Sequence, residues 1–239
     1  MMTEKDKMPP YMNIGSNRIY DSALWSAVCD DTRVAWIRSL GVHKKIIKDM
    51  LRDITKNSHV LQIGLTFGDE IEAVYEKVQK NGKFDIFDIS EKQIALAKAR
   101  YGNHKIEIMN YNAALPWDEK YDVIICYNLL HELPLQTRRA VMDNVLNGLT
   151  NGGKAIFVDT SKPEAWHPLK WPLFVLNRLY RPFTESMWKQ PLENFCSAKE
   201  EFRWHHNYYG WRLYQRTMAV RKILSSEDVV KLTKLFNGK

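Results

Sequence analysis

The amino-acid sequence predicts an α/β fold built on a mostly parallel sheet. Two short apolar runs, His59–Leu65 and Phe84–Asp88, flank a loop with two glycines and a helical pattern over about 69–79. The second run ends in an acid, Asp88. Strand, glycine turn, helix, strand and acid follow one another in nucleotide-binding βαβ units. Apolar runs and helical patterns keep alternating further along the chain, which favours a parallel sheet with helices on both faces.

The later part of this alternating region completes the predicted core of the sheet. Ser90 is expected to begin a helix, because Gln93 stands three residues on, in the spacing of a capping box. The expected elements are a helix from Ser90 to about Arg100, strands over Lys105–Met109 and Tyr121–Tyr127, a helix over about Leu135–Leu149 that Asn151-Gly152-Gly153 ends, and a strand over Lys154–Asp159.

Patterns of a different kind flank this core. Residues 1–15 are polar and contain two adjacent prolines, which predicts disorder. The segment Ile19–Ile54 has the apolar spacing of two or three helices, and Ser226 starts a last helix to about Phe236. Glu201–Tyr209 and Leu213–Ile223 predict an antiparallel hairpin around Gly210. We expect a single domain over 1–239, made of a helical cap (1–55), a ligand-binding core (56–160), an aromatic and basic segment (161–199) and a closing hairpin and helix (200–239).

Composition limits the possible partners. The net charge of +7 is compatible with nucleic acid, an anionic membrane surface or an acidic ligand, and also with a basic surface that binds nothing. The three cysteines are far apart, which predicts a reducing compartment without disulfides. No apolar stretch is as long as a membrane span, so we expect any membrane contact to be peripheral.

The two glycines and Asp88 form the first candidate binding site. Gly64 and Gly68 would let a ligand approach the backbone next to the free N–H groups of the following helix, although a plain strand-to-helix turn explains them as well. Asp88 lies 24 residues after Gly64, and its carboxylate can accept hydrogen bonds from both ribose hydroxyls. The alternative is a helix-capping role, and the two roles are compatible.

A second region joins this site to a known family. Residues 111–134 read YNAALPWDEKYDVIICYNLLHELP, in which a loop with Leu-Pro-Trp precedes a strand that ends at Asn128. Together with the first βαβ unit, this resembles the class I S-adenosylmethionine-dependent methyltransferases over about 60–159. The resemblance implies a Rossmann-like fold with a mostly parallel seven-stranded sheet, a C-terminal antiparallel hairpin and an N-terminal helical cap. Two acids of the family pattern are replaced, one by Gln62 and the other by Tyr111 beside Asn112. The residues implied to hold S-adenosylmethionine are Gln62, Gly64, Phe67, Gly68, Asp88, Ile89, Tyr111, Asn112 and Asn128.

A narrower resemblance covers most of residues 60–220. The loop LQIGLTFGD, the run LLHELP and the segments VDTSKPEAWHPLKWP, RPFTESMWKQPLENF and YYGWRLYQ are similar to those of RquA-type rhodoquinone biosynthesis proteins. This implies that ubiquinone becomes rhodoquinone when an amino group replaces a ring methoxy group. It also implies S-adenosylmethionine and a divalent metal such as manganese, whose ligands stay unknown. The implied location is peripheral, on the cytoplasmic side of the inner membrane, or at the mitochondrial inner membrane in a eukaryote. A conventional methyltransferase acting on a quinone, phenol or lipid is the alternative, and a non-catalytic cofactor-binding or lipid-docking module is a third.

Five residues are candidates for the reaction itself. His131 and Glu132 follow the strand where chemistry is expected, because a histidine can carry protons near neutral pH and a glutamate can bind a metal or an amine. Structural roles explain both residues equally well. The remaining candidates are Asp159 at the end of a strand, His167 in the aromatic segment and Tyr209 in the hairpin.

The aromatic segment suggests a lipid partner. Tryptophans, tyrosine and basic residues interleave over Trp166–Trp188, which is typical of an interfacial membrane anchor and equally of a lid packed on the core. We expect an anionic membrane surface as partner. No nucleic acid is expected, since no RNA-binding module is legible.

Overall fold

One sheet organises the computed structural model, which describes residues 9–14, 41–66, 68–78 and 81–223. Within these residues seven strands lie in the order β3-β2-β1-β4-β5-β7-β6. The first five are parallel, whereas β7 runs antiparallel to both β5 and β6. This confirms the predicted sheet and its closing hairpin. The strands are β1 (His59–Ile63), β2 (Lys83–Asp88), β3 (Ile106–Asn110), β4 (Tyr121–Tyr127), β5 (Leu149–Thr160), β6 (Phe202–Tyr209) and β7 (Tyr214–Arg221).

Helices cover both faces of the sheet. The α-helices are α1 (His43–Leu51), α2 (Glu70–Val78), α3 (Glu91–Tyr101), α4 (Leu135–Asn147), α5 (Lys170–Tyr180) and the short α6 (Thr184–Met187). Short 3-10 turns lie at Pro10–Asn13, Leu130–Glu132, Leu192–Phe195 and Lys199–Glu201. The predicted cap of α3 is confirmed, because the Ser90 hydroxyl accepts the backbone N–H of Gln93 at 3.3 Å.

The alternation of side chains along the strands builds two cores. In β4, Ile124 and Cys126 point to the face that packs against α4, whereas Val123 and Ile125 point to the face covered by α1, α2 and α3. Both faces of β4 are therefore buried from Val123 to Tyr127, as the run VIICY requires in a parallel sheet. This arrangement leaves the carboxyl ends of the strands as the place for a ligand.

Two boundary predictions differ from the structure. α4 ends at Asn147, and Leu149 already belongs to β5 opposite Tyr121, so the predicted helix ran two residues too far and the predicted strand began late. Gly152 lies within β5 at a φ of 75°, which places the Asn-Gly-Gly run in an irregular strand rather than after a helix. Residues 10–13, expected to be disordered, form a 3-10 turn that packs on the site described below.

Other predictions fall outside the described residues. The helical patterns over 19–40 and the last helix over 226–236 lie there, and α1 is the described part of the N-terminal cap. The aromatic segment 161–199 contains α5, α6 and one 3-10 turn. The division of the chain into four parts stays a prediction.

Candidate active site

A cavity opens at the carboxyl ends of β1, β2 and β4. It encloses about 1260 Å³ including its open mouth, and it lies where the strand order reverses between β1 and β4. Ligands of open α/β sheets bind at such a reversal point. Its lining includes seven of the residues named from the sequence, which are Gly64, Asp88, Ile89, Tyr111, Asn112, Asn128 and Glu132.

Asp88 is held rigidly at the end of β2. One carboxylate oxygen accepts the N–H of Leu65 at 2.7 Å, and the other accepts the N–H of Ser90 at the same distance. Removal of water by the surrounding protein raises the pKa of Asp88 to about 6, although the two backbone N–H groups oppose the shift. Each oxygen keeps a lone pair for a ligand, so the carboxylate can accept further hydrogen bonds from hydroxyl groups.

The glycine loop between β1 and α2 separates the two predicted glycines. Gly64 lines the cavity with a φ of 86°, a conformation that side chains disfavour, and its N–H binds the Phe87 carbonyl at 2.8 Å. Gly68 lies outside the cavity, where an added Cβ would approach His43 Nε2 at 3.0 Å. Phe67 falls outside the described residues.

Gln62 does not reach the cavity. Its side chain is buried at the end of β1, and its amide N–H₂ donates to the Gly64 carbonyl at 3.3 Å and to the Thr66 hydroxyl at 3.2 Å. A carboxylate at this position would accept a hydrogen bond from a ligand. The amide of Gln62 instead donates its hydrogen bonds to the loop that follows β1. No charge therefore arises at the end of β1 to attract a cationic ligand.

The wall after β3 is uncharged as well. The Tyr111 hydroxyl donates to the Pro116 carbonyl at 2.6 Å, and its ring packs on Phe87 with centroids 4.8 Å apart. The Asn112 side-chain oxygen accepts the N–H of Ala114 at 3.0 Å, which leaves its N–H₂ group for a ligand. Together with Ile89 these residues offer an apolar slot with amide groups, which suits a flat heterocycle.

Asn128, directly after β4, carries an unsatisfied group. Its φ of 52° is a strained conformation for a residue with a side chain, and its buried side-chain oxygen has no hydrogen-bond partner among the described residues. A ligand that donates N–H groups would satisfy this acceptor. Asp88 and Asn128 thus suit the hydroxyl groups and the ammonium group of an adenosyl amino acid.

A buried acid and histidine lie behind the cavity wall. His131 Nδ1 is 2.7 Å from an Asp159 oxygen, and Asp159 also accepts the backbone N–H groups of His131 and Thr160. The neighbouring imidazole lowers the pKa of Asp159 despite its complete burial. His131 Nε2 lies 3.6 Å from a carboxylate oxygen of Glu132, the member of this group that lines the cavity. His131 and Asp159 therefore lie behind Glu132 and do not line the cavity themselves.

The structure does not bring His167 and Tyr209 into the cavity. The buried His167 accepts the N–H of Leu169 at 3.1 Å and packs between Trp166 and Trp211. The Tyr209 hydroxyl donates to Asp49 at 3.0 Å, and burial raises its pKa to about 12. Both contacts are structural, and their roles in a reaction stay predictions.

Several lining residues were missed by the sequence reasoning. Tyr11 and Met12 come from the segment expected to be disordered, and burial together with the charge of Asp88 raises the Tyr11 pKa to about 12. His43 at the start of α1 and Arg181 after α5 line the cavity too. The one sequence signal near His43 and Arg181 is that Gly41 and Pro182 interrupt the helical patterns there. No sequence signal points to Tyr11.

One group of side chains beside the cavity could hold a metal. Ligand atoms of His43, Asp69 and Glu70 lie within 4.8 Å of one another. His43 Nε2 is 2.9 Å from Asp69, and His43 Nδ1 is 3.0 Å from the Tyr127 hydroxyl, so the imidazole already has partners at both nitrogens. A second such group, His59, Asp85 and Glu119, lies at the opposite end of the sheet next to Lys83, whose ammonium takes the place of a metal charge.

Comparison with known proteins agrees with this geometry. Residues 60–153 match the family described as "Methyltransferase domain". No curated protein matches the sequence significantly.

Solved structures share the fold at low sequence identity. An O-methyltransferase family protein from Burkholderia thailandensis has 12% identity and a TM-score of 0.64, with 92% of this chain and 65% of that chain covered. The pyocyanin biosynthetic protein PhzM has 9% identity and a TM-score of 0.58, with 83% and 61% covered. The N-methyltransferase NodS from Bradyrhizobium japonicum WM9, solved with S-adenosyl-L-homocysteine, has 14% identity and a TM-score of 0.54, with 80% and 99% covered.

The coverage and the sequence identity limit what these comparisons show about the chain. The chain spans less than two thirds of the length of PhzM and of the Burkholderia protein. At such identities the likeness is one of fold, and the narrower resemblance to RquA-type proteins stays a prediction. Residues 60–153 resemble a methyltransferase domain, and the chain has the Rossmann-like α/β fold of these solved methyltransferase structures.

Proposed function

We propose that this protein is an S-adenosylmethionine-dependent methyltransferase. The observation that carries the proposal is Asp88, fixed at the end of β2 in the wall of the cavity and inside the matched methyltransferase domain. Support also comes from the unsatisfied oxygen of Asn128 and the uncharged slot beside Tyr111. S-adenosylmethionine supplies an electrophilic methyl group when it is bound.

The chain's own residues have separate tasks in this proposal. Asp88 accepts the ribose hydroxyls, Asn128 accepts the ammonium group, and the slot between Ile89 and Asn112 takes the adenine. Glu132 receives the proton that an acceptor oxygen or nitrogen loses on methylation. The Asp159–His131 pair fixes the turn that carries Glu132, because Asp159 binds both the backbone and the imidazole of His131.

Removal of the Asp88 carboxylate tests the proposal. Asp88→Ala should weaken S-adenosylmethionine binding by roughly 10- to 100-fold, since hydrogen bonds to a charged group are worth about 1.5–3 kcal/mol. Isothermal titration calorimetry measures this loss. Asp118→Ala removes an exposed acid from the same domain and should leave the affinity unchanged. Equal affinity of wild-type protein and Asp88→Ala would rule out this site.

The acceptor is proposed to be a quinone, phenol or lipid. Labelled methyl transfer to such an acceptor, with S-adenosylhomocysteine formed in equal amount, is the expected result. Cofactor binding without turnover on any of these acceptors would instead indicate a non-catalytic cofactor-binding module.

A second candidate is the rhodoquinone-forming reaction. The observation in its favour is Gln62, whose amide is turned into its own loop, so that β1 offers no carboxylate for the cofactor's ammonium group. A less restrained ammonium group is consistent with S-adenosylmethionine acting as a nitrogen source. In this proposal the cofactor's amino nitrogen adds to the ring carbon that bears the methoxy group, and methanol leaves. The quinone ring then takes two electrons from the cofactor's α-carbon, and water hydrolyses the resulting imine. The products are a keto acid and the aminoquinol, which is the reduced form of the aminoquinone.

Mass spectrometry separates the two candidates. Ubiquinone is incubated with the protein, S-adenosylmethionine carrying ¹⁵N in its amino group, and manganese. Labelled aminoquinone would support amination, whereas methylation of a phenol or quinol supplied in place of ubiquinone, without ¹⁵N in the product, would support the conventional reaction. The requirement for a divalent metal stays a prediction.

A further inference from the structure

Helix α5 exposes large apolar side chains to solvent. Surface helices usually turn their apolar side inward and their polar side to water. In α5 the side chains of Trp171, Val175 and Leu179 are 71%, 55% and 68% exposed, whereas Asn177 is buried. The three exposed residues are spaced four apart, so they form one stripe along the helix.

Neighbouring loops add exposed apolar residues at the start of this stripe. The buried His167 packs against both Trp166 and Trp211 and accepts the N–H of Leu169 just before α5, which holds the two tryptophans next to the start of the helix. Each tryptophan is 67% exposed. We call this surface the docking face, and it consists of Trp166, Leu169, Trp171, Val175, Leu179 and Trp211.

Basic residues surround the docking face. Lys162 and Arg178 are exposed, and the Lys170 ammonium lies 5.6 Å from the centre of the Trp171 ring. Over residues 162–189 there are five lysines and arginines and two glutamates, one of which, Glu164, pairs with Arg212 at 3.0 Å. A second copy docking face to face by two-fold symmetry would bring these like charges together, whereas an anionic bilayer would attract them.

We propose that the docking face inserts into the interfacial region of an anionic phospholipid bilayer. Tryptophan, leucine and valine would enter the boundary between headgroups and acyl chains, while Lys162, Lys170 and Arg178 stay among the phosphates. No helix in the described part of the chain is long and apolar enough to cross a bilayer.

The position of α5 connects the bilayer to the cavity. Arg181 follows the helix directly, its N–H binds the Asn177 carbonyl at 2.7 Å, and it lines the cavity. An acceptor dissolved in the membrane would therefore meet the cavity at the end of the docked helix. This route rests on the proposed function, whereas bilayer binding itself needs neither cofactor nor turnover.

Vesicle sedimentation tests the proposal with the full chain. Wild-type protein should pellet with phosphatidylcholine vesicles that contain phosphatidylglycerol, and less with phosphatidylcholine alone. The double variant Trp171→Ala, Leu179→Ser should lower the partition coefficient by roughly tenfold or more, because binding scales with the apolar area inserted. Leu96→Ser with Leu135→Ser, two exposed leucines elsewhere, should bind as the wild type does.

Two further measurements keep the outcomes distinct. Thermal unfolding and S-adenosylmethionine affinity of the Trp171 and Leu179 variant should match the wild type, since both side chains are exposed and outside the cavity. Wild-type protein that stays in the supernatant with both kinds of vesicle would overturn the proposal, as would a variant that pellets fully. A concentration-dependent dimer that this variant abolishes, without vesicle binding, would assign the face to a second copy.

Discussion

At the scale of single residues, Asp88 determines how the site responds to pH. The protein around it disfavours the charged form, while the N–H groups of Leu65 and Ser90 favour it, and the outcome is a pKa raised to about 6. Ribose hydroxyls donate hydrogen bonds, so they bind the ionised carboxylate better than the neutral acid. Cofactor binding should therefore lower this pKa.

The first prediction concerns the pH dependence of affinity. S-adenosylmethionine affinity should be constant above about pH 7 and fall by up to about tenfold per pH unit below about pH 6, as Asp88 becomes protonated in the free protein. Titration calorimetry over this range measures the slope. Asp88→Asn should bind more weakly and show no slope there. A wild-type affinity that stays flat down to pH 5 would show that Asp88 does not titrate with binding.

At the scale of elements, a buried arginine joins the turn Leu130–Glu132 to the aromatic segment. Arg138 on α4 is completely buried and donates to the carbonyls of Leu130, Leu133 and Phe183 and to the Ser186 hydroxyl. Burial lowers its pKa to about 10, which still leaves it charged at neutral pH. The turn that carries Glu132 and the start of α6 therefore share one guanidinium group.

The second prediction follows from this junction. Arg138→Met should lower the free energy of unfolding by about 2–5 kcal/mol, because three buried carbonyls lose their donor. Arg138→Lys should recover only part of the loss, since one ammonium cannot reach all of these acceptors. Urea denaturation measures both variants.

The adjacent residue provides the control for this experiment. Arg139 on the same helix is exposed, so Arg139→Met should change the free energy of unfolding by less than about 0.5 kcal/mol. Similar losses in the Arg138 and Arg139 variants would show that the buried hydrogen bonds contribute little.

Elements also show where sequence reasoning succeeds. The central strands β1, β2 and β4 are predictable because their apolar runs are buried on both faces. Ser90 is predictable because a cap needs one side-chain oxygen at one position. The start of β5 is not predicted, because the local pattern around Leu149 and Gly152 is typical of a helix end. In the structure Leu149 pairs with Tyr121, which makes this segment part of the sheet. Long-range pairing of this kind leaves no local pattern.

At the scale of the whole molecule, the order of the strands decides which cavity residues can be predicted from the sequence. The order of the first five strands brings Gly64, Asp88 and Asn128 to one edge, so this part of the cavity follows from three strand ends. The rest of the lining does not, because Tyr11, His43 and Arg181 reach the cavity from distant segments. His131 and Asp159 were placed at the right edge, yet burial sets them behind Glu132, which spacing alone does not reveal.

The turn at Tyr11 has a practical consequence for handling this protein. A polar leader with two prolines invites removal before crystallisation, and fusion partners are commonly attached there. Because Tyr11 and Met12 form part of the cavity wall, deletion of residues 1–12 would remove two of its lining residues. Inactivity of a shortened version should therefore be attributed first to the loss of Tyr11 and Met12 from the cavity wall.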